Sequence, residues 1–131
     1  MKNSFKILGS MFALLLMFNI TAKAASFSDK MLDKARTAIE NSNGEDWEVR
    51  ASWAKKCIAR GINTEEVSKW LDKSLSIQEN AYNLEVKGDY YAENKMPEKA
   101  IASYIKSISA KLKGSDKYDI ASVQAKIAQL K

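Results

Sequence analysis

The sequence predicts an all-helical protein. Apolar residues recur at three- and four-residue spacing through most of the chain, as they do on one face of an α-helix. No segment alternates apolar and polar residues over the length of a strand, which is the pattern of a half-buried β-strand. Glycine, proline and asparagine interrupt the apolar stripes at intervals that leave about six helices after residue 24.

Residues 1–24 have the composition of a secretory signal peptide. A basic start is followed by an apolar run over residues 7–20 and by Ala22 and Ala24, whose small side chains suit signal peptidase. Because the apolar run is shorter than the roughly 20 residues that span a bilayer, we expect cleavage after Ala24 and no stable membrane insertion of the mature chain. An uncleaved N-terminal anchor is the alternative. This segment and the lack of cysteine pairs are typical of bacterial export, to the periplasm or out of the cell.

The first two helices are predicted from their apolar stripes and end signals. The first covers Phe27–Asn41, and either Ser28 or Asp29 is expected to cap its start. The second begins at Asp46, with acidic residues in or just before its first turn, where the positive end of the helix dipole favours them. Gly61 is expected to close the second helix in the left-handed conformation.

The third and fourth helices are separated by the weakest boundary signal in the chain. Asn63 is predicted to cap the third helix, with Glu66 completing a capping box. No glycine or proline lies between Leu75 and Leu84, so one long helix is an alternative. Ordinary helix lengths favour a break near residues 78–80.

Pro97 is predicted at the first position of the fifth helix, where its missing N–H donor costs nothing. Gly114 ends that helix, and Ser115 or Asp116 caps the sixth. The fifth helix is expected to bury Ala100, Ile101, Tyr104, Ile105, Ile108 and Leu112. The sixth has an apolar edge and a small-residue edge, formed by Ile120, Val123, Ile127 and Leu130 and by Ala121, Ala125 and Ala128.

The net charge of +5 is concentrated at the N-terminus. Lys2, Lys6 and Lys23 lie in the first 24 residues, which hold no acid. Without them, 18 of the 21 basic residues face 16 acidic residues, a net charge of +2. Charge this close to balance does not favour nucleic-acid binding, and we expect no nucleic-acid partner.

The sequence contains no histidine. Histidine-dependent catalytic triads and histidine-ligated metal sites are therefore excluded. The single cysteine, Cys57, shares a helical face with Ala54 and Ile58, which favours burial over a reactive or dimer-forming thiol. No phosphate-binding loop, CxxC pair or nucleophile motif is present, so we expect no catalytic residues, no metal, no cofactor and no enzymatic activity.

One segment carries small and large apolar residues where two short antiparallel helices need them: Leu84, Gly88, Tyr91, Ala100, Tyr104 and Ser107. Gly88 leaves room for the second helix, and Tyr104 fills the space beyond Ala100. The pattern resembles one tetratricopeptide repeat, most clearly over residues 81–112 and partially over residues 47–78. Lys87 departs from the family pattern, which usually has an apolar residue there. A plain helical bundle with the same core residues is the alternative.

The resemblance implies that residues 25–131 form antiparallel helix pairs stacked as a short solenoid, with a concave groove for a partner segment. The positions that would face this groove are Tyr82, Glu85, Val86, Asp89 and Glu93, with Lys55 and Ile58 before them and Val123 and Lys126 after them. Family members that bind a terminal carboxylate have Lys, Arg or Asn where Glu85 and Asp89 stand. We therefore expect an acidic middle that suits a basic or mixed segment. A solvated face is the alternative interpretation of these acids.

Three functions follow from these patterns. The first is a non-enzymatic protein-interaction module of the cell envelope or periplasm, which binds a segment of another protein. The second is a helical bundle that inhibits or stabilises an envelope enzyme. The third is a small-ligand carrier that uses Trp47, Trp53 and Trp70.

Overall fold

The structure, a computed structural model, describes residues 25–113 and 119–131. The predicted signal peptide lies outside the described residues. The chain divides after Lys34 into two compact units, and the first is described only over residues 25–34, where Met31 and Leu32 are buried. The described residues form six helices and contain no strand, which confirms the all-helical prediction. None of the helices described here has both the length and the apolar character that crossing a bilayer requires.

The first helix, α1, covers residues 25–40. It is followed by α2 (Trp47–Ile58), α3 (Glu65–Ile77), α4 (Ala81–Glu93), α5 (Pro97–Lys113) and α6 (Ile120–Gln129). The prediction that Ser28 or Asp29 caps α1 is wrong, because the chain is already helical at residue 25. No glycine or proline lies just before Ser28, so nothing there interrupts the helix.

Residues close to each end of α2 explain where the helix begins and ends. The side chain of Asp46 caps its start, because Oδ1 accepts a hydrogen bond of 3.1 Å from the N–H of Val49. The helix ends at Ile58, and the turn that follows contains Gly61 with a φ of 74°. The left-handed conformation predicted for Gly61 is confirmed, although it lies three residues beyond the end of α2.

The cap of α3 is one residue later than predicted. Thr64, and not Asn63, is the N-cap, and its Oγ1 accepts from the N–H of Val67 at 3.4 Å. The predicted capping box with Glu66 does not form. Both carboxylate oxygens of Glu66 instead accept hydrogen bonds from Arg36, at 2.8 and 2.7 Å, which link the end of α1 to α3.

The break between α3 and α4 is confirmed and is stabilised by two asparagines. Asn80 and Asn83 form a reciprocal capping box, in which each side-chain oxygen accepts from the backbone N–H of the other, at 3.1 and 3.0 Å. Asn83 is fully buried and also donates to the carbonyl of Gln78 at 2.8 Å and to Oγ of Ser74 at 3.1 Å. These bonds fix the chain where glycine and proline are absent.

A close approach of α4 and α5 forms the centre of the second unit. A Cβ on Gly88 would collide with Cε1 and Cδ1 of Tyr104, so only glycine fits there without a shift of the ring. The turn between the helices contains Lys95 in the left-handed region, with a φ of 59°. Pro97 is the first residue of α5, as predicted.

The buried face of α5 differs from the predicted one. Ile105 and Leu112 are 53% and 73% exposed, so their prediction as buried residues is wrong. Ser103 and Ser107 are buried instead, beside Ala100, Tyr104 and Lys111. Oγ of Ser107 donates to the carbonyl of Ala81 at 2.6 Å, which satisfies the buried hydroxyl. Small side chains allow α5 to lie close to α4, and this close contact outweighs the larger apolar area of the isoleucines and leucine.

The last helix completes the second unit. Asp119 caps α6 by accepting from the N–H of Ala121 at 3.0 Å, whereas the predicted caps Ser115 and Asp116 lie outside the described residues, as does Gly114. Val123 is fully buried in a cluster with Ala100 and Tyr104, and Ile127 and Leu130 pack against this cluster. In the described residues α4 also contacts α2 and α3, so α4 lies at the centre of the packed helices.

Candidate functional site

A groove of about 500 Å³ is lined mainly by α2, α4 and α6. On the α2 side it is lined by Lys55, Ile58, Ala59 and Gly61, on the α4 side by Asp89, Ala92 and Glu93, and on the α6 side by Lys126, Gln129 and Leu130, with Tyr104 of α5 also in the lining. Lys55, Ile58, Asp89, Glu93 and Lys126 are among the nine positions that the repeat resemblance implied. The fold brings these five together although they are spread over 72 positions of the chain.

The central feature of the groove wall is an ion-pair cluster between α4 and α6. Nζ of Lys126 lies 2.6 Å from Oε1 of Glu85 and 2.7 Å from Oδ1 of Asp89. The side chains of Lys126 and Glu85 are only 32% and 7% exposed, so these pairs are partly shielded from water. Two carboxylates share one ammonium group, which leaves an excess of negative charge in this cluster.

Tyr104 links this cluster to the core. Its hydroxyl donates to Oδ1 of Asp89 at 2.8 Å, while its ring packs against Gly88. Burial and the hydrogen bond to Asp89 both raise the pKa of Tyr104, and Glu85 and Glu93 add to the effect. The tyrosine therefore acts here as a neutral hydrogen-bond donor.

The pKa of Lys126 reflects two opposing causes. Burial disfavours the charged ammonium and lowers this pKa, whereas the hydrogen bonds to Asp89 and Glu85 raise it. The net shift is upward, so the carboxylates outweigh the loss of hydration. The ammonium also lies 5.7 Å from the centroid of the Tyr104 ring, within cation–π range.

Tyr82 lies one helical turn before Glu85 and does not line the groove. Its ring meets Trp47 edge to face, with 6.4 Å between centroids, and Nζ of Lys55 lies 5.1 Å above it. Burial raises the pKa of Tyr82, and the nearby charges of Glu48, Glu85 and Asp89 raise it further. Lys55 thus connects the Tyr82 surface to the groove.

Four of the predicted groove positions are largely closed to a partner. Val86 and Val123 are fully buried, because both point into the packed interior, and Ile58 is only 5% exposed. Glu85 is also buried, and its carboxylate forms an ion pair with Lys126. The expected acidic middle is therefore partly neutralised within the protein, and Glu85 is not part of a solvated face. Glu93 is exposed and makes no ion pair within the described part of the chain.

Lys87, which departs from the repeat pattern, is a buried structural residue. Its ammonium pairs with Asp72 at 2.7 Å and donates to Oγ of Ser68 at 3.1 Å, which joins α4 to α3. It also lies 5.3 and 5.2 Å from the ring centroids of Tyr90 and Tyr91. A lysine can therefore replace the usual apolar residue, because its charge has a partner and its stem packs on aromatic rings.

The tryptophans Trp47, Trp53 and Trp70 do not line the groove. Trp47 packs against Tyr82, and Trp53 lies 4.4 Å beneath the ammonium of Lys56. Cys57 is fully buried in α2, and burial raises the pKa of its thiol. Within residues 25–113 and 119–131, no group of three acidic or sulfur-bearing side chains could hold a metal ion.

Sequence reasoning missed several residues that line the groove. Ala92 lies three positions after Asp89, and Gln129 and Leu130 lie three and four positions after Lys126. The helical period places these residues on the same faces as the predicted ones, so extending each face by one turn would have found them. Tyr104 was assigned only to the core, and its second role depends on its contact with Asp89.

In comparisons with known proteins, no protein-family model, no curated protein and no solved structure matches the chain.

Proposed function

We propose that this protein is a non-enzymatic protein-interaction module that binds a segment of a partner protein in the groove. The observation that carries the proposal is the convergence of Lys55, Asp89, Glu93 and Lys126 on one cavity with the apolar side chain of Ile58. Apolar walls with a few fixed charges are typical of binding sites, and a cavity of about 500 Å³ has the size of such sites.

The proposal includes a tetratricopeptide-like stacking of helix pairs. It is supported by the short connections within α2–α3 and α4–α5 and by the contacts of α4 with both helices of the preceding pair. The close approach of Gly88 to Tyr104 is what the repeat pattern needs at a helix crossing. A groove on one side of stacked pairs is a common binding surface in repeat proteins.

The proposal also places this function outside the cytoplasm, in the periplasm or beyond the cell. Support comes from the composition of residues 1–24, with a basic start, an apolar run and alanines at the expected cleavage site. The absence of histidine and of nucleophile motifs from the sequence supports a role without catalysis.

Site-specific photo-crosslinking tests the groove as the binding surface. A benzophenone amino acid would replace Ala59 at the groove or, as a matched control, Ala102, an exposed alanine of α5 outside the groove. Irradiation in the producing cells is expected to give a discrete adduct from position 59 and none from position 102. The same adducts from both positions, or none from position 59, would refute the proposal.

A further inference from the structure

We propose that the segment accepted by the groove is basic, with a lysine or arginine next to an apolar residue. This inference rests on the proposed function and specifies the chemistry of the partner. Its basis is the charge distribution of the groove, the way the groove already holds one internal cation, and the position of its apolar residues.

The acidic side chains on the α4 side of the groove outnumber the lysines that pair with them. Glu85 and Asp89 share the ammonium of Lys126, at 2.6 and 2.7 Å. Glu93 lies one turn beyond Asp89, at the groove, and makes no ion pair within the described residues. The three carboxylates of α4 and the two lysines of the groove thus leave an excess of one negative charge. Lys55, the second lysine of the groove, lies on the α2 side, with its ammonium above the Tyr82 ring.

This excess is local, because residues 25–131 together have a net charge of +2. An excess of acid in a groove gives a negative local field. A concave, partly desolvated site concentrates such a field, which attracts cationic groups and repels anionic ones. Charge complementarity therefore favours a basic partner segment over an acidic one.

The environment of Lys126 shows that the groove wall stabilises a positively charged group. The Lys126 side chain is only 32% exposed, and its ammonium contacts two carboxylates and lies 5.7 Å from the Tyr104 ring centroid. The carboxylates compensate for its lost hydration. A partner cation next to Glu93 would enter the same field. Arginine or lysine suits this position, since either can pair with the open carboxylate of Glu93 while its stem lies against Ala92.

The apolar part of the groove sets the second requirement. Ile58 on the α2 side is only 5% exposed, so the apolar side chains open to a partner in the cavity that contains Glu93 are those of Ala59, Ala92 and Leu130. A side chain between them would bury apolar area that an all-charged peptide cannot offer. The best segment therefore combines one basic and one apolar residue within a short stretch.

Three capped nine-residue peptides test this inference on the full chain. They share a central leucine and differ only at the two flanking positions, which hold lysine, glutamine or glutamate. Dye-labelled peptides and fluorescence anisotropy give their affinities. We expect the lysine peptide to bind at least about fivefold more tightly than the glutamine peptide, and the glutamate peptide most weakly. The preference should shrink between about 0.1 M and about 1 M salt, because the ions screen the field.

Charge reversal in the groove provides the specific control. Glu93→Lys should reduce the affinity of the lysine peptide and raise that of the glutamate peptide. Glu79→Lys makes the same change in net charge on an exposed residue outside the groove, between α3 and α4, and should leave both affinities unchanged. Circular dichroism checks that both variants remain helical.

The outcomes separate this inference from the proposed function. Equal or tighter binding of the glutamate peptide, or equal effects of the two variants, would refute the basic preference and leave groove binding standing. Failure of all three peptides to bind, together with no adduct at position 59, would refute both.

Discussion

The ring of Tyr104 occupies the space that a side chain at position 88 would need. Gly88 therefore fixes the distance between α4 and α5. We expect Gly88→Ala to destabilise the protein by about 2 kcal/mol, because overpacking a tight helix contact costs more than the roughly 1 kcal/mol that alanine gains in helix propensity. Urea unfolding followed by circular dichroism measures the change. Gly44→Ala is the control, since nothing lies within 4 Å of a Cβ at Gly44. Equal stability of the two variants would contradict the packing argument.

Removal of the Lys126 ammonium should weaken the attachment of α6 to α4. In Lys126→Met the carboxylates of Glu85 and Asp89 lose their shared cation in a partly buried site. We expect a loss of about 2 kcal/mol in the free energy of unfolding, below the value for fully buried pairs because Lys126 is partly exposed.

The matched control for this change is Lys69→Met. Lys69 pairs with Glu65 at 3.0 Å on the surface of α3, where both side chains are largely exposed. Surface pairs of this kind contribute about 0.5 kcal/mol or less, so the control should unfold close to the wild type. A similar loss for both variants would show that the α4–α6 cluster has no special role.

Stability should fall at alkaline pH partly because of Tyr104. Its pKa in the folded state is raised above the usual value of 10.0, so the unfolded chain releases this proton first. The contribution is fully present below about pH 10 and is lost above it, by up to about 1.4 kcal/mol per pH unit. Lys126 acts in the same direction, since its pKa is raised from 10.5. Urea midpoints between about pH 8 and about pH 11 should therefore decrease less in Tyr104→Phe than in the wild type. Equal decreases of the urea midpoint in the two proteins would contradict the attribution of this pH dependence to Tyr104.

Cys57 should react with thiol reagents only when the protein opens. The side chain is fully buried, and burial raises the pKa of the thiol, which lowers the fraction of reactive thiolate. We expect labelling by a disulfide reagent in buffer to be at least about a hundredfold slower than in urea. A non-reducing gel should show monomer. Rapid labelling of the folded protein, or a dimer that disappears with reductant, would contradict this placement.

The helix boundaries could be predicted because local signals determine them. Pro97 begins α5 and Gly61 adopts the left-handed conformation for reasons that belong to those residues alone. The prediction of Asn63 as the cap was wrong because the next residue, Thr64, also has a side-chain oxygen that can accept from the backbone. A contact with Arg36, thirty positions away, removed Glu66 from the expected capping box.

The buried face of α5 was harder to predict because the helical period identifies apolar residues but does not show how closely their side chains pack against α4. Ile105 and Leu112 follow the helical period, yet Ser103 and Ser107 are the buried residues, and Ser107 donates to the carbonyl of Ala81 in α4. The ion pairs of the groove were also difficult to predict from the sequence. Lys126 and Glu85 are 41 positions apart, and no local pattern indicates that they neutralise each other.

Tyr104 is shared between the interior of the protein and the lining of the groove. The groove exists only in the folded protein, so a molecule that binds there stabilises the folded state by about 1.4 kcal/mol for each tenfold increase in ligand concentration above the dissociation constant. A rise in melting temperature can thus serve as a label-free screen for the natural partner.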